Sequence, residues 1–168
     1  WSFKKHLKVQ NILLLVASYI FYAWWDYRFL ALIIASTLVD YCIGLLLEQK
    51  ACNNKRKVLL LASLTFNLGL LCVFKYLNFF IESFVGFSHS FGFNANMSSL
   101  NIILPVGISF YTFQTLSYTI DVYKKNMEPT KSVLRFAAYV AFFPQLVAGP
   151  IERASHLLPQ FNVSKRFN

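Results

Sequence analysis

Phe142-Phe143-Pro144-Gln145-Leu146-Val147-Ala148-Gly149-Pro150-Ile151-Glu152-Arg153 closes the last apolar run of the sequence, and its reading decides the fold. Pro144 lacks a backbone donor and clashes one turn back, so a helix kinks or stops here. Phe143 and Gly149 each precede a proline, which pushes both away from helical angles. Gly149 also opens backbone shapes closed to other residues. An apolar segment interrupted in this way leaves bare N–H and C=O groups. In lipid these must be covered by protein or by a wet cavity. The stretch is therefore expected to face the inside of a helix bundle, with the other segments packed around it.

Those segments are apolar to a degree that excludes an ordinary soluble domain. Of 168 residues, 57% are hydrophobic and only 14% charged, against roughly 25% charged in soluble domains. The charges cluster between long apolar runs, the pattern of a polytopic membrane protein. The net charge of +9 has its Lys and Arg at the ends of those runs, where membrane orientation puts them. No nucleic acid partner is expected. Cys42, Cys52 and Cys72 form no CxxC or Cys/His spacing, so neither a disulfide framework nor a metal site is predicted.

Five apolar segments are read, over residues 9–25, 29–47, 58–81, 102–123 and 132–148. The first ends in Tyr22, Trp24 and Trp25, suited to the headgroup level, and Asp26-Tyr27-Arg28 forms a tight polar turn. The second carries Ser36, Asp40 and Gly44 on one face. Small residues there admit a neighbouring helix, and Asp40 must point to protein. The third holds Asn67, Lys75 and Asn78. Lys75 is read either as snorkelling to the far interface or as a buried pairing group. The fourth is too polar to face lipid. Thr112, Thr115 and Thr119 form one stripe, and Gln114, Ser117 and Asp121 a neighbouring one. Between the third and fourth lies a Phe-, Ser- and Gly-rich loop over 82–101 without Lys or Arg. Arg153 to Phe161 reads as a short interfacial segment. The basic loops alternate with poor ones, which predicts that Trp1, Lys55 and Lys125 are cytoplasmic and Asn94 external.

Chemistry is harder to locate. His6 sits in a basic tail and His89 in the Ser/Phe loop, both as solvated residues. His156 follows Glu152-Arg153 but has no visible orienting partner, the usual mark of a general base. Asp40 and Asp121 are read as structural acids paired within the bundle, or as relay groups. Glu152 and Arg153 pair with each other or hold an anionic group.

Four elements carry a family resemblance. Ser18-Tyr19-Ile20-Phe21-Tyr22-Ala23-Trp24-Trp25 resembles the S-x-x-F-Y-A-W opening of alginate O-acetyltransferase-type members of the membrane-bound O-acyltransferase family. Phe74-Lys75-Tyr76-Leu77-Asn78-Phe79-Phe80 resembles F-K-Y-x-N-F-F. Leu104-Pro105-Val106-Gly107-Ile108-Ser109-Phe110-Tyr111-Thr112-Phe113-Gln114, continued by Ser117 to Tyr123, resembles L-P-x-G-I-S-F-Y-x-F-Q. Phe143-Pro144-Gln145-Leu146-Val147-Ala148-Gly149-Pro150-Ile151 with Arg153 resembles F-P-Q-L-x-A-G-P-I-x-R.

The resemblance implies an all-α polytopic bundle that forms the N-terminal part of a ring of helices around a thin tunnel. It implies O-acetylation of an exported, alginate-like polysaccharide in the inner membrane. The acyl donor, acetyl-CoA or similar, would come from the cytoplasmic side, and acetylation partner proteins would lie outside the membrane. No cofactor is implied. The family's histidine lies in a later W-H-x-S-like element that has no match here. It is expected beyond residue 168, no catalytic role passes to His156, and the isolated piece is expected to be inactive. Gln114, Gln145, Gly149, Pro150 and Arg153 are the candidates for lining the tunnel, against the plainer role of satisfying broken backbone. The competing readings are a transporter, marked by broken helices and intramembrane acids, and a passive subunit of an export complex. The absence of an inverted repeat weighs against the transporter.

Overall fold

The computed structural model describes residues 7–49, 52–90, 107–149 and 152–163, and the described residues are helical with short connections. Helix α1 spans Leu7–Trp25 and α2 spans Tyr27–Gln49. Asp26 alone joins them. Its carboxylate accepts from the Arg28 backbone N–H at 2.8 Å, the bond by which an N-cap satisfies a bare donor of the first turn. Helix α3 (Asn53–Leu71) passes through a π turn (Cys72–Tyr76) into α4 (Leu77–Ser90). The third apolar segment is thus longer than 58–81. Its helix continues into the Phe-rich stretch expected to be loop, because Phe84 and Phe87 keep helical spacing beyond Ile81. Residues 91–106 lie outside the described residues. Among the described residues, three helices are long and apolar enough to cross a membrane: α1, α2 and the run from Asn53 to His89. Their outer faces expose Ile12, Leu13, Val16, Leu61, Phe79 and Phe80, a surface suited to hydrocarbon.

Helix α5 (Ile108–Tyr123) is the axis of the bundle, packed against α2 and α3 on one flank. Gly107 precedes it at φ +77°, a left-handed conformation that favours glycine. The 16 residues of α5 rise about 24 Å, less than the roughly 30 Å of a hydrocarbon core.

The last apolar segment does not run straight through. Helix α6 (Val133–Val140) is capped by the Ser132 hydroxyl, which accepts from the Arg135 N–H at 3.4 Å. The chain then breaks at Phe142 (φ −61°, ψ 97°) and restarts as α7 (Phe143–Ala148). The break falls one residue earlier than expected and Phe143 is helical, because proline is well accommodated in the first turn of a helix. Gly149 is extended (φ −91°, ψ 158°), as the following proline demands. After 150–151, outside the described residues, the chain returns through α8 (Ala154–Leu157) and a 3-10 turn (Leu158–Asn162).

Printed contacts fix the path of this return. Phe143 N–H meets Ser18 Oγ at 3.4 Å, and Leu146 carbonyl lies beside Gly107. Then Ala154 N–H donates to Ser117 Oγ at 3.2 Å, and Asn11 Nδ2 donates to the Phe161 carbonyl at 3.0 Å. Arg135 closes the loop by donating to Asn162 Oδ1 at 2.9 Å. Residues 133–162 therefore form a re-entrant helical hairpin that ends where it began. Its return leg is buried on one face and exposed on the other. Ala154, Leu157, Leu158 and Phe161 are buried in the core, and the Phe161 ring meets Phe142 edge-on at 5.8 Å.

Candidate functional site

Helix α5 presents polar groups on two faces, and the two are treated differently. On the first, Thr112, Thr115 and Thr119 turn toward α2 and α3. Asp40, wholly buried, accepts from the Ser63 hydroxyl, from Thr119 Oγ1 at 3.1 Å and from Asn67 Nδ2 at 2.7 Å. Asn67 Oδ1 in turn accepts from Ser36 Oγ at 2.7 Å and Thr115 Oγ1 at 3.2 Å. Buried polar groups are normally paired, and this network pairs its members except Thr112, whose Oγ1 is buried without a partner. Asp40 points to protein, as its cost in lipid requires. Its partners are hydroxyls and an amide, not Lys75. That residue is exposed in the π turn, donates to Ser109 Oγ at 3.3 Å and lies over the Tyr76 ring.

The second face is spaced i, i+4, i+7, i+14: Gly107, Tyr111, Gln114 and Asp121, one stripe by helical periodicity. It faces α1 and the hairpin. Tyr139 Oη donates to the Gln114 backbone carbonyl at 3.2 Å. A side chain at Gly107 would come within 3.5 Å of Tyr22 Oη and 3.6 Å of the Leu146 carbonyl. Tyr111 follows one turn on along the same face.

Here the polar groups are not matched. Tyr22 Oη, Tyr111 Oη and both amide atoms of Gln114 are buried without a hydrogen-bond partner, and so is one carboxylate oxygen of Asp121. Tyr22 and Gln114 are 2% exposed and Tyr111 1%. Each such group costs about 1–3 kcal/mol when left dry.

The sequence-read candidates distribute around this locus unevenly. Gln114 lies in it. Gln145 is buried on α7 beside Leu146, and its side chain packs over Gly149. A Cβ at Gly149 would lie 2.7 Å from Gln145 Cα and 3.0 Å from its carbonyl oxygen. The glycine is thus required by close approach rather than by an unusual dihedral. Pro150 falls outside the described residues. Arg153 is the extended residue before α8 and its side chain is exposed. His156 and His89 are exposed as well. Tyr22, expected from the sequence at the headgroup level, is instead buried, and so is Tyr111. The signal was available in the F-Y-A-W and S-F-Y motifs, but a tyrosine near a span end reads first as a belt residue.

At the opposite end of α5, the first turn of α3 meets Tyr123, Lys124 and Lys125. Arg56 donates to the carbonyls of Val122 at 3.3 Å and Tyr123 at 2.6 Å, a cation at the negative end of the helix. A cleft of about 530 Å³ opens beside it, lined by Glu48, Arg56, Lys125, Asn126 and Glu128 among others. Among the described residues no cluster of His, Cys, Asp and Glu is arranged to hold a metal.

No family model matches the chain, and no solved structure matches it. Curated relatives do. The chain is 44% identical over 156 residues to a probable alginate O-acetylase AlgI of Pseudomonas putida, covering 92% of this chain and 32% of that protein. The corresponding protein of Azotobacter vinelandii is 42% identical over 156 residues, 92% of this chain and 31% of its own. A peptidoglycan O-acetyltransferase of Helicobacter pylori is 32% identical over 184 residues, 95% of this chain and 34% of its own. The chain thus spans about a third of the length of the curated relatives it matches.

Proposed function

We propose that this chain, an alginate O-acetylase-like sequence of the membrane-bound O-acyltransferase type, is part of an enzyme that O-acetylates an exported cell-envelope polysaccharide from the inner membrane. Relatives named for two different polysaccharides align over more than nine-tenths of the chain, and that observation carries the reading. In the reaction, a sugar hydroxyl oxygen forms the new ester bond to the acetyl carbon. The donor's bond to that carbon breaks, and the hydroxyl proton leaves to a base and then to the departing thiolate. The thioester donor approaches from the side of the basic loops and the polymer from the other. A histidine outside these 168 residues serves as the base. Partner proteins outside the membrane receive or present the polymer.

In this scheme the re-entrant hairpin and α5 wall the passage. Irregular backbone at membrane depth is tolerated where it lines a cavity or is buried in protein, and Gln145 and Gly149 sit at such a break. Arg153 stands on the return leg, free to meet an anionic group of donor or polymer.

The test is complementation with the full-length gene in cells lacking it, reading acetyl ester on the exported polymer. Gln114→Ala and Arg153→Ala are expected to reduce ester content at unchanged protein level. Wild-type acetylation by Arg153→Ala would remove that residue from the scheme. Loss of acetylation in neither variant nor the knockout would remove the scheme itself.

A further inference from the structure

We infer that Arg56, Lys124 and Lys125 form a binding site for the phosphodiester headgroup of an anionic membrane lipid. The inference rests on the membrane-spanning helices and stands apart from the acetyltransferase reading. A pocket of about 330 Å³, lined by Asn53, Arg56, Tyr123, Lys124 and Lys125, brings the three cations together between the first turn of α3 and the end of α5. Its lining holds no acid. The larger cleft beside it shares Arg56 and Lys125 but adds Glu48 and Glu128, which oppose an anion there. Arg56 is half-buried and held in place. Its Nη2 donates to the carbonyls of Val122 and Tyr123, and its guanidinium lies 5.6 Å from the centre of the Tyr123 ring. Among the described residues no acceptor meets its Nε or Nη1, and no carboxylate pairs with Arg56, Lys124 or Lys125. A guanidinium with donors to spare beside two ammonium groups suits a phosphate, whose ionised oxygens accept. Lys125 sits at φ +61° and closes α5, with the Asn126 N–H bonded back to the Asp121 carbonyl at 2.9 Å. Glycine is the usual residue at such a helix end. The lysine takes on a backbone cost that glycine avoids, and its side chain lines the pocket. The depth agrees with a lipid. One crossing ends at Gln49 and the next begins at Asn53, so the pocket lies where two spans meet the headgroup region.

The experiment uses the purified full-length protein in detergent and measures retention of phosphatidylglycerol. Phosphatidylcholine, which has the phosphate but no net charge, is the comparison probe. The variants are Lys125→Gly, the pair Lys124→Gln/Lys125→Gly, and a control pair Lys55→Gln/Lys57→Gln that removes the same charge from the start of α3 outside the pocket. Glycine suits the backbone at 125, so loss of binding there is not loss of fold. The wild type is expected to retain phosphatidylglycerol in preference to phosphatidylcholine. Lys125→Gly should weaken that retention about fivefold and the Lys124/Lys125 pair about twentyfold, the effect of one and of two basic residues at an anionic headgroup. The control pair should change it by less than about twofold, because exposed charges outside the pocket are screened by salt. Equal losses in the two pairs would mean diffuse surface attraction and overturn the inference. Unaltered retention in Lys124→Gln/Lys125→Gly overturns it as well, and so does a wild type that retains both lipids alike. Acetyl-CoA and inorganic phosphate serve as competitors. If either, at equal concentration, displaces phosphatidylglycerol, the pocket takes a soluble phosphate and the lipid assignment falls; retention against both supports it.

Discussion

At the scale of single residues, Asp40 shows how a buried acid is held without a counter-ion. Three donors from α3 and α5 converge on its two oxygens, and removing one leaves a lone pair dry. Asn67→Ala is expected to lower stability by about 1–3 kcal/mol, seen as earlier heat-induced aggregation of the detergent-solubilised full-length protein. An unchanged midpoint would mean water replaces the amide. Gly44, one turn from Asp40, has a different constraint. A Cβ there would lie 2.6 Å from Tyr118 Oη. That ring cannot swing away, since it packs on Phe136 at 4.4 Å between centroids and its oxygen accepts from Thr130 N–H at 3.2 Å. Gly44→Ala should therefore cost about 1–3 kcal/mol by overpacking, measured in the same assay. Both residues were legible in the sequence as a face, because Ser36, Asp40 and Gly44 recur at helical spacing. Their partners were not, because spacing within one helix says nothing about which helix lies opposite. The same gap hides the burial of Tyr22 and Tyr111: an unpaired hydroxyl is a property of an interface, not of a segment.

At the scale of elements, the hairpin of residues 133–162 decides what kind of wall the bundle offers. The proline break was readable from Pro144 and Gly149. That the chain then turns back was not, since an apolar run of 132–148 has nearly the length of a short crossing. The return is fixed by Leu157, Leu158 and Phe161 burying against the core and by Arg135 meeting Asn162. Two predictions belong here. Single cysteines at Lys131 and Asn162, in a background lacking Cys42, Cys52 and Cys72, should react with an impermeant maleimide from the same side of the membrane. Reaction from opposite sides would mean a true crossing. Gly149→Ala should abolish most acetylation, because the clash is with the Gln145 backbone and cannot be relieved by a rotamer. Near-normal ester content would show that the end of α7 is free to shift.

For the whole molecule, the arrangement is polarised along α5. Basic residues gather at its C-terminal end, where Arg56 binds the last carbonyls, and the uncharged polar locus lies toward its N-terminal end. The structure puts the first turn of α3 beside the C-terminal end of α5. Which side that is follows from the positive-inside tendency. Cysteines at Asn53 and Asn126 should be shielded from an impermeant reagent in intact cells, whereas one at Asn94, outside the described residues, should react. The outcome bears on the chemistry as much as on the topology. With the basic end inside, the uncharged N-terminal end of α5 lies toward the compartment that receives the polymer in the proposed scheme, and Arg56 and Lys125 toward the one that holds the donor. If Asn126 reacted and Asn94 did not, the uncharged end would lie toward the charged donor and the cationic cleft toward the polymer. The match between each end's chemistry and its proposed ligand would then be lost.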